Sequence, residues 1–195
     1  MMLHRTRILL VLTKPLILMG LFILAATLPD LHARGADSSS TELDRLFVAL
    51  RAAPDIEAAR KVEQQIWKIW TEPADAELAD QMSQVLAARA IGDLDRAMSL
   101  LDAMVQRWPD YAEGWNQRAT VEYMLGDDEA SLRDIARTLE LEPRHFGALS
   151  GRILIDLRHD DRAQALRDLG AALKIYPLMP ERKLFPELLD PATQT

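Results

Sequence analysis

Three prolines, Pro109, Pro143 and Pro177, stand 34 residues apart in a chain of 195. The interval is not confined to them. Gly92, Gly126 and Asp160 share it, as do Asp93, Asp127 and Asp161, and the small residues Ala97, Ser131 and Ala165. Large apolar residues follow at Leu101, Ile135 and Leu169, and again at Val105, Leu139 and Leu173. Chance rarely aligns six columns. A fixed period of this size is the mark of an array in which each unit buries its apolar face against its neighbours.

The unit reads as two helices joined by a tight turn. In the middle copy Trp115 to Leu125 is apolar at helical spacing, Gly126-Asp127 supplies a permissive backbone and a polar cap, and Ala130 to Leu141 resumes the helix until Pro143 ends it. Ser131 and its equivalents must be small, because a large side chain there would push the paired helices apart. Composition agrees: the apolar half is built from 32 Leu and 27 Ala against 11 Ile and 6 Val. Unbranched side chains lose little rotamer freedom in a helix, so an all-α fold is expected and a sheet-based enzyme is not.

These residues resemble the tetratricopeptide repeat. Trp115, Gly126, Asp127 and Pro143 match its pattern in one unit, Gly92, Asp93, Ala97 and Pro109 in the one before, and Ala165, Ala172 and Pro177 in the one after. Gln81 stands where the first unit would have an aromatic, and Asp160 where the third would have glycine. The resemblance implies a right-handed α-solenoid of three helix pairs, residues 78–111, 112–145 and 146–179. Upstream, residues 42–53 and 55–70 read as a divergent helical hairpin covering the exposed end of the array, within a segment 37–77 that ends in a short connection at Pro73. Residues 180–195 read as a capping turn through Leu184 and Phe185, then a tail.

The amino terminus reads differently. Arg5, Arg7 and Lys14 precede an uncharged run from Pro15 to Pro29, the layout of an export signal. Residues 1–36 are expected to be a cleaved signal peptide or an uncleaved membrane segment, and either puts the rest outside the cytoplasm, in the periplasm or beyond. Without those residues the net charge moves from −7 to −10. Clustered cations for nucleic acid are missing, and the acidic balance disfavours that partner. Cysteine is absent, which excludes disulfides, a thiol nucleophile and a lipidated cysteine.

The resemblance also implies where a partner would sit. Such arrays hold peptides or protein surfaces along the concave side, lined by the first helix of each pair. On that geometry the lining is Met82, Leu86 and Arg89, then Asn116, Thr120 and Tyr123, then Ser150, Leu154 and Arg158. Few are charged, which suits an extended segment. A second pattern repeats at 34: Arg118 with Glu122 and Arg152 with Asp156, each an i to i+4 pair. It reads as an ion-pair ladder between helices, or alternatively as a pair of arginines offered to an acidic ligand. His145 and His159 lie in different units without metal-ligand spacing, and no phosphate loop or nucleophile elbow occurs, so neither catalysis nor a cofactor or metal is implied. The expected function is a protein-protein interaction module in the cell envelope; the alternative is a structural or assembly protein that self-associates or braces an envelope complex.

Overall fold

The computed structural model describes residues 31–186, and among them the chain is helical with no strand. The helices are α1 (Leu31–Arg51), α2 (Ile56–Thr71), α3 (Ala76–Ala90), α4 (Leu94–Arg107), α5 (Ala112–Leu125), α6 (Asp128–Leu141), α7 (Phe146–Arg158) and α8 (Arg162–Leu173), followed by a 3-10 turn at Pro180–Leu184. The expected signal segment and tail fall mostly outside the described residues. Among those described, no helix is long and apolar enough to cross a membrane.

The 34-residue columns become local structure as their chemistry requires. The aspartate column caps the second helix of each pair: Asp93, Asp127 and Asp161 accept from the amides of Arg96, Ala130 and Gln164 at 3.2, 3.0 and 3.0 Å. The residue before each cap turns through the left-handed region, with φ of 75° at Gly92, 85° at Gly126 and 60° at Asp160. Aspartate is among the few side chains that tolerate that conformation, so the third unit keeps the turn without its glycine. Ala97, Ser131 and Ala165 are buried where the paired helices cross, and the Ser131 hydroxyl donates to the Ala119 carbonyl at 2.8 Å. Each helix packs on the next from α3 to α8, which makes a solenoid of three helix pairs.

The hairpin α1–α2 departs from expectation in position. Rather than covering the free end of the first pair, it shares its core with the third. Leu46, Phe47 and Leu50 of α1 and Ala59, Ile66 and Trp70 of α2 form one buried cluster with Phe146, Leu149 and Ile153 of α7 and Leu169 of α8. Arg144, just before α7, binds Glu142 at 2.9 Å and Asp44 of α1 at 2.6 Å, with its guanidinium 4.3 Å from the Phe47 ring centre. The Tyr176 hydroxyl donates to Glu63 of α2 at 3.1 Å. The physical reason is aromatic: Trp67, Trp70 and Phe47 find Phe146 with ring centres 5.4, 5.1 and 6.4 Å away. The expected cap through Phe185 forms, fully buried, while Leu184 is largely exposed.

Candidate functional site

Because α2 crosses from before the first pair to the third, it walls one side of the concave face. What it leaves is a cavity of about 620 Å³ between α2, α3, α5, α6 and α7. Leu86, Arg89, Asn116, Thr120, Tyr123, Ser150 and Leu154 line it, seven of the nine residues placed there from the sequence. Met82 does not; it is fully buried in the core of the first pair. Arg158 does not either. Its guanidinium lies 3.8 Å from the Tyr123 ring centre and pairs with Asp128 of the preceding unit, which draws it to the rim. Among the lining that sequence reasoning missed are Trp67 and Thr71 from α2, together with Gly147 and Gly151 from α7. At Gly147 a side chain would meet the Trp67 ring at 2.6 Å, so any larger residue must push that ring aside.

Beneath one wall lies a buried polar network that the sequence did not suggest. Glu113, at the first turn of α5, is buried and accepts from Asn116 at 3.1 Å, Gln117 at 2.5 Å and the His145 Nε2 at 2.9 Å. His145 also caps α7: its Nδ1 accepts from the Ala148 amide at 3.2 Å, which leaves the proton on Nε2, facing the carboxylate. The imidazole stacks on Trp70 at 4.0 Å with an interplanar angle of 8°. Arg89 reaches the network through the Gln117 side chain. Burial lowers the Arg89 guanidinium's pKa from its ordinary value, an effect that the nearby Glu113 charge opposes. Burial, and then the same charge, raises the pKa of the Tyr111 phenol, whose hydroxyl donates to the Trp70 carbonyl at 2.5 Å. The groove thus has one cation on its wall, tied to its neutral floor, and apolar surface at Leu86, Tyr123 and Leu154.

No family model matches the chain. A TPR repeat-containing protein of Rhizobium etli is 35% identical to it over 147 residues, an alignment that covers 74% of this chain and 71% of the relative. With the three helix pairs and their turns, that similarity decides the matter. The chain belongs to the tetratricopeptide-repeat family. Its members are repeat modules that bind protein partners.

The repeated arginines of this TPR protein take nearer partners than the expected i+4 carboxylates, of which Arg118 keeps Glu122 as a long ion pair. Arg118 makes a two-point contact with Asp134 of α6 at 2.6 and 2.9 Å and reaches Asp102 of α4 at 3.1 Å, while Glu122 lies 3.9 Å away. Arg152 grips Asp168 of α8 at 2.6 and 2.9 Å. Each arginine therefore ties the two helices of its own pair at a separation of 16 residues, and Arg118 also ties the pair before. The planar guanidinium favours the two-point geometry over the distant i+4 carboxylate. Neither arginine lines the cavity. Glu122 and Asp156 are left with a buried oxygen that has no hydrogen-bond partner. Burial, then the neighbouring Asp134, pushes Glu122 up to about 7, and burial, then Asp168, pushes Asp156 up to about 6. Trp115, at the aromatic position of its repeat, is only half-buried; its indole donates to the Pro109 carbonyl at 2.9 Å and Arg118 stacks 4.9 Å from it.

Proposed function

We propose that this TPR protein works outside the cytoplasm and holds an extended segment of an envelope partner protein in its concave cavity. The observation that carries the reading is the cavity itself. Three successive helix pairs contribute to one recess of about 620 Å³, whose walls alternate apolar side chains with amide and hydroxyl groups able to meet a peptide backbone. The expectation of export rests on Arg5, Arg7, Lys14 and the uncharged run 15–29. Photo-crosslinking from position 86 or 154 in living cells is the test. A discrete adduct with one envelope protein, lost when Thr120→Trp fills the recess, supports the reading; crosslinks that survive Thr120→Trp overturn it. Alkaline phosphatase fused after residue 45 should be active, as it is only when exported.

A second reading, self-association, has one observation in its favour. Ile91 and Leu125 occupy equivalent turn positions 34 residues apart and expose 77% and 52% of their surface on one edge of the array. Sedimentation of Ile91→Ser/Leu125→Ser beside the wild type separates the two: a wild-type dimer that the double variant dissolves would favour assembly through that edge.

A further inference from the structure

The concave cavity does not stop at α2. It shares Trp67, Gly147 and Ser150 with a small recess of about 100 Å³, and that recess shares Glu63, Tyr176, Met179 and Pro180 with a third of about 200 Å³. The three follow one flank of α2, from the groove to the 3-10 turn. At the far end the floor is Tyr176, Leu178 and Met179, and the rim carries Arg60, Arg182 and Lys183. Among the described residues none of these three cations is paired with a carboxylate; Arg182 donates to the Pro177 carbonyl at 3.0 Å. Two carboxylates stand among them, Glu63 in the lining of the same recess, accepting from the Tyr176 hydroxyl, and Glu181 in the lining of the smaller one, accepting from the Ser150 hydroxyl, and the three cations outnumber them. In a chain of net charge −7, a recess lined by three cations and one carboxylate is a local reversal of sign.

We propose that the groove continues into this furrow, and that the partner segment is extended, with apolar residues in the concave cavity and a short acidic stretch seated on Arg60, Arg182 and Lys183. The inference rests on the reading of the cavity as a partner-binding groove and adds the chemistry of what it holds. A peptide feels the field within about 10 Å of itself, where the cations dominate. An anionic bilayer would meet the acidic surface around them as well, so a peptide is the better complement. An extended chain of roughly twelve residues reaches about 40 Å, longer than the roughly 20 Å across three helices packed side by side.

The test is a display selection of random peptides of roughly that length against the full chain, against Arg60→Glu/Lys183→Glu, and against Thr120→Trp, each checked for helicity by circular dichroism. The expected result is a wild-type set with clustered Asp or Glu toward one end and apolar residues toward the other. Charge reversal should weaken these peptides about tenfold or more and reduce the salt dependence of binding. Peptides without an acidic cluster that Thr120→Trp nonetheless abolishes would leave the groove standing and overturn the acidic seat. An acidic set indifferent to charge reversal would also overturn it, and no enrichment at all would overturn both. Co-sedimentation of the wild type with phosphatidylserine-containing vesicles, lost on charge reversal, would give the patch to a membrane instead and likewise defeat the proposal.

Discussion

Two kinds of seam hold this molecule together. Between the helices of the repeats, contacts recur with the sequence period: a small residue at the crossing, an aspartate cap at the turn, and in two of three units an arginine clasping an aspartate 16 residues on. The seam between the hairpin and the third pair recurs nowhere. It is made of Trp67, Trp70, Phe47, His145 and Phe146, with Glu113 underneath. Recurring seams share their load over many modest contacts. The single seam concentrates it, so removing one member of the aromatic cluster should cost more than removing one member of a repeat column.

The largest effect is expected from Trp70→Ala, about 4 kcal/mol in urea unfolding, because the indole is nearly fully buried and its loss opens a cavity. Proteolysis in the same variant should rise first within α1 and α2; cleavage spread evenly over all eight helices would make the two seams equivalent after all. Next comes Glu113→Ala, about 3 kcal/mol, since Asn116, Gln117 and His145 lose their shared acceptor in a buried site. Gly147→Ala should cost about 2 kcal/mol by forcing Trp67 aside, and hydrogen exchange would place the loosening in α2 rather than α8.

The repeat seams answer to pH. Glu122 and Asp156 have folded-state values of about 7 and about 6, above those of the unfolded chain, so between the two states' values the folded protein binds more protons. Stability must then fall as pH rises through that window. From about pH 5 to about pH 8 the loss should be about 1 kcal/mol, smaller than the shifts alone would give because water screens both carboxylates. Glu122→Gln/Asp156→Asn should flatten that part of the profile; an unchanged slope would show that these two carboxylates do not set it. Smallest is Asp160→Gly, expected to raise stability by about 0.5 kcal/mol by relieving the left-handed backbone of a non-glycine residue. A melting curve shifted upward by a degree or two would suffice.

What could be read from the chain divides along the same line. The period placed the turns, the caps and the helix pairs, because the proline, the capping aspartate and the small crossing residue are each stated three times. Seven of the nine residues expected on the concave face line the cavity, since their positions follow from the helix pair alone. Met82 and Arg158 went astray because one turn of helix separates lining from core, and because Asp128 pulls Arg158 to the rim. Arg118 was legible in a way that went unused: Asp134 and Asp168 are themselves 34 residues apart, yet the carboxylates at i+4 offered a nearer partner. The hairpin's destination was not legible. Trp70 and His145 are separated by two repeats' worth of chain, and no periodic argument connects a segment stated once to a residue that reads as an ordinary helix start.

The crossing of α2 has a mechanical consequence. A row of helix pairs that touch only their neighbours behaves as a spring, free to stretch, bend and unwind from either tip. Here the segment ahead of the first pair is fastened to the last, so the coil is clasped end to end. Its curvature is set by the clasp rather than by whatever lies in its hollow, and it must let go as a unit, with slow long-range closure during folding as the counterpart. A partner therefore meets a mould already cast.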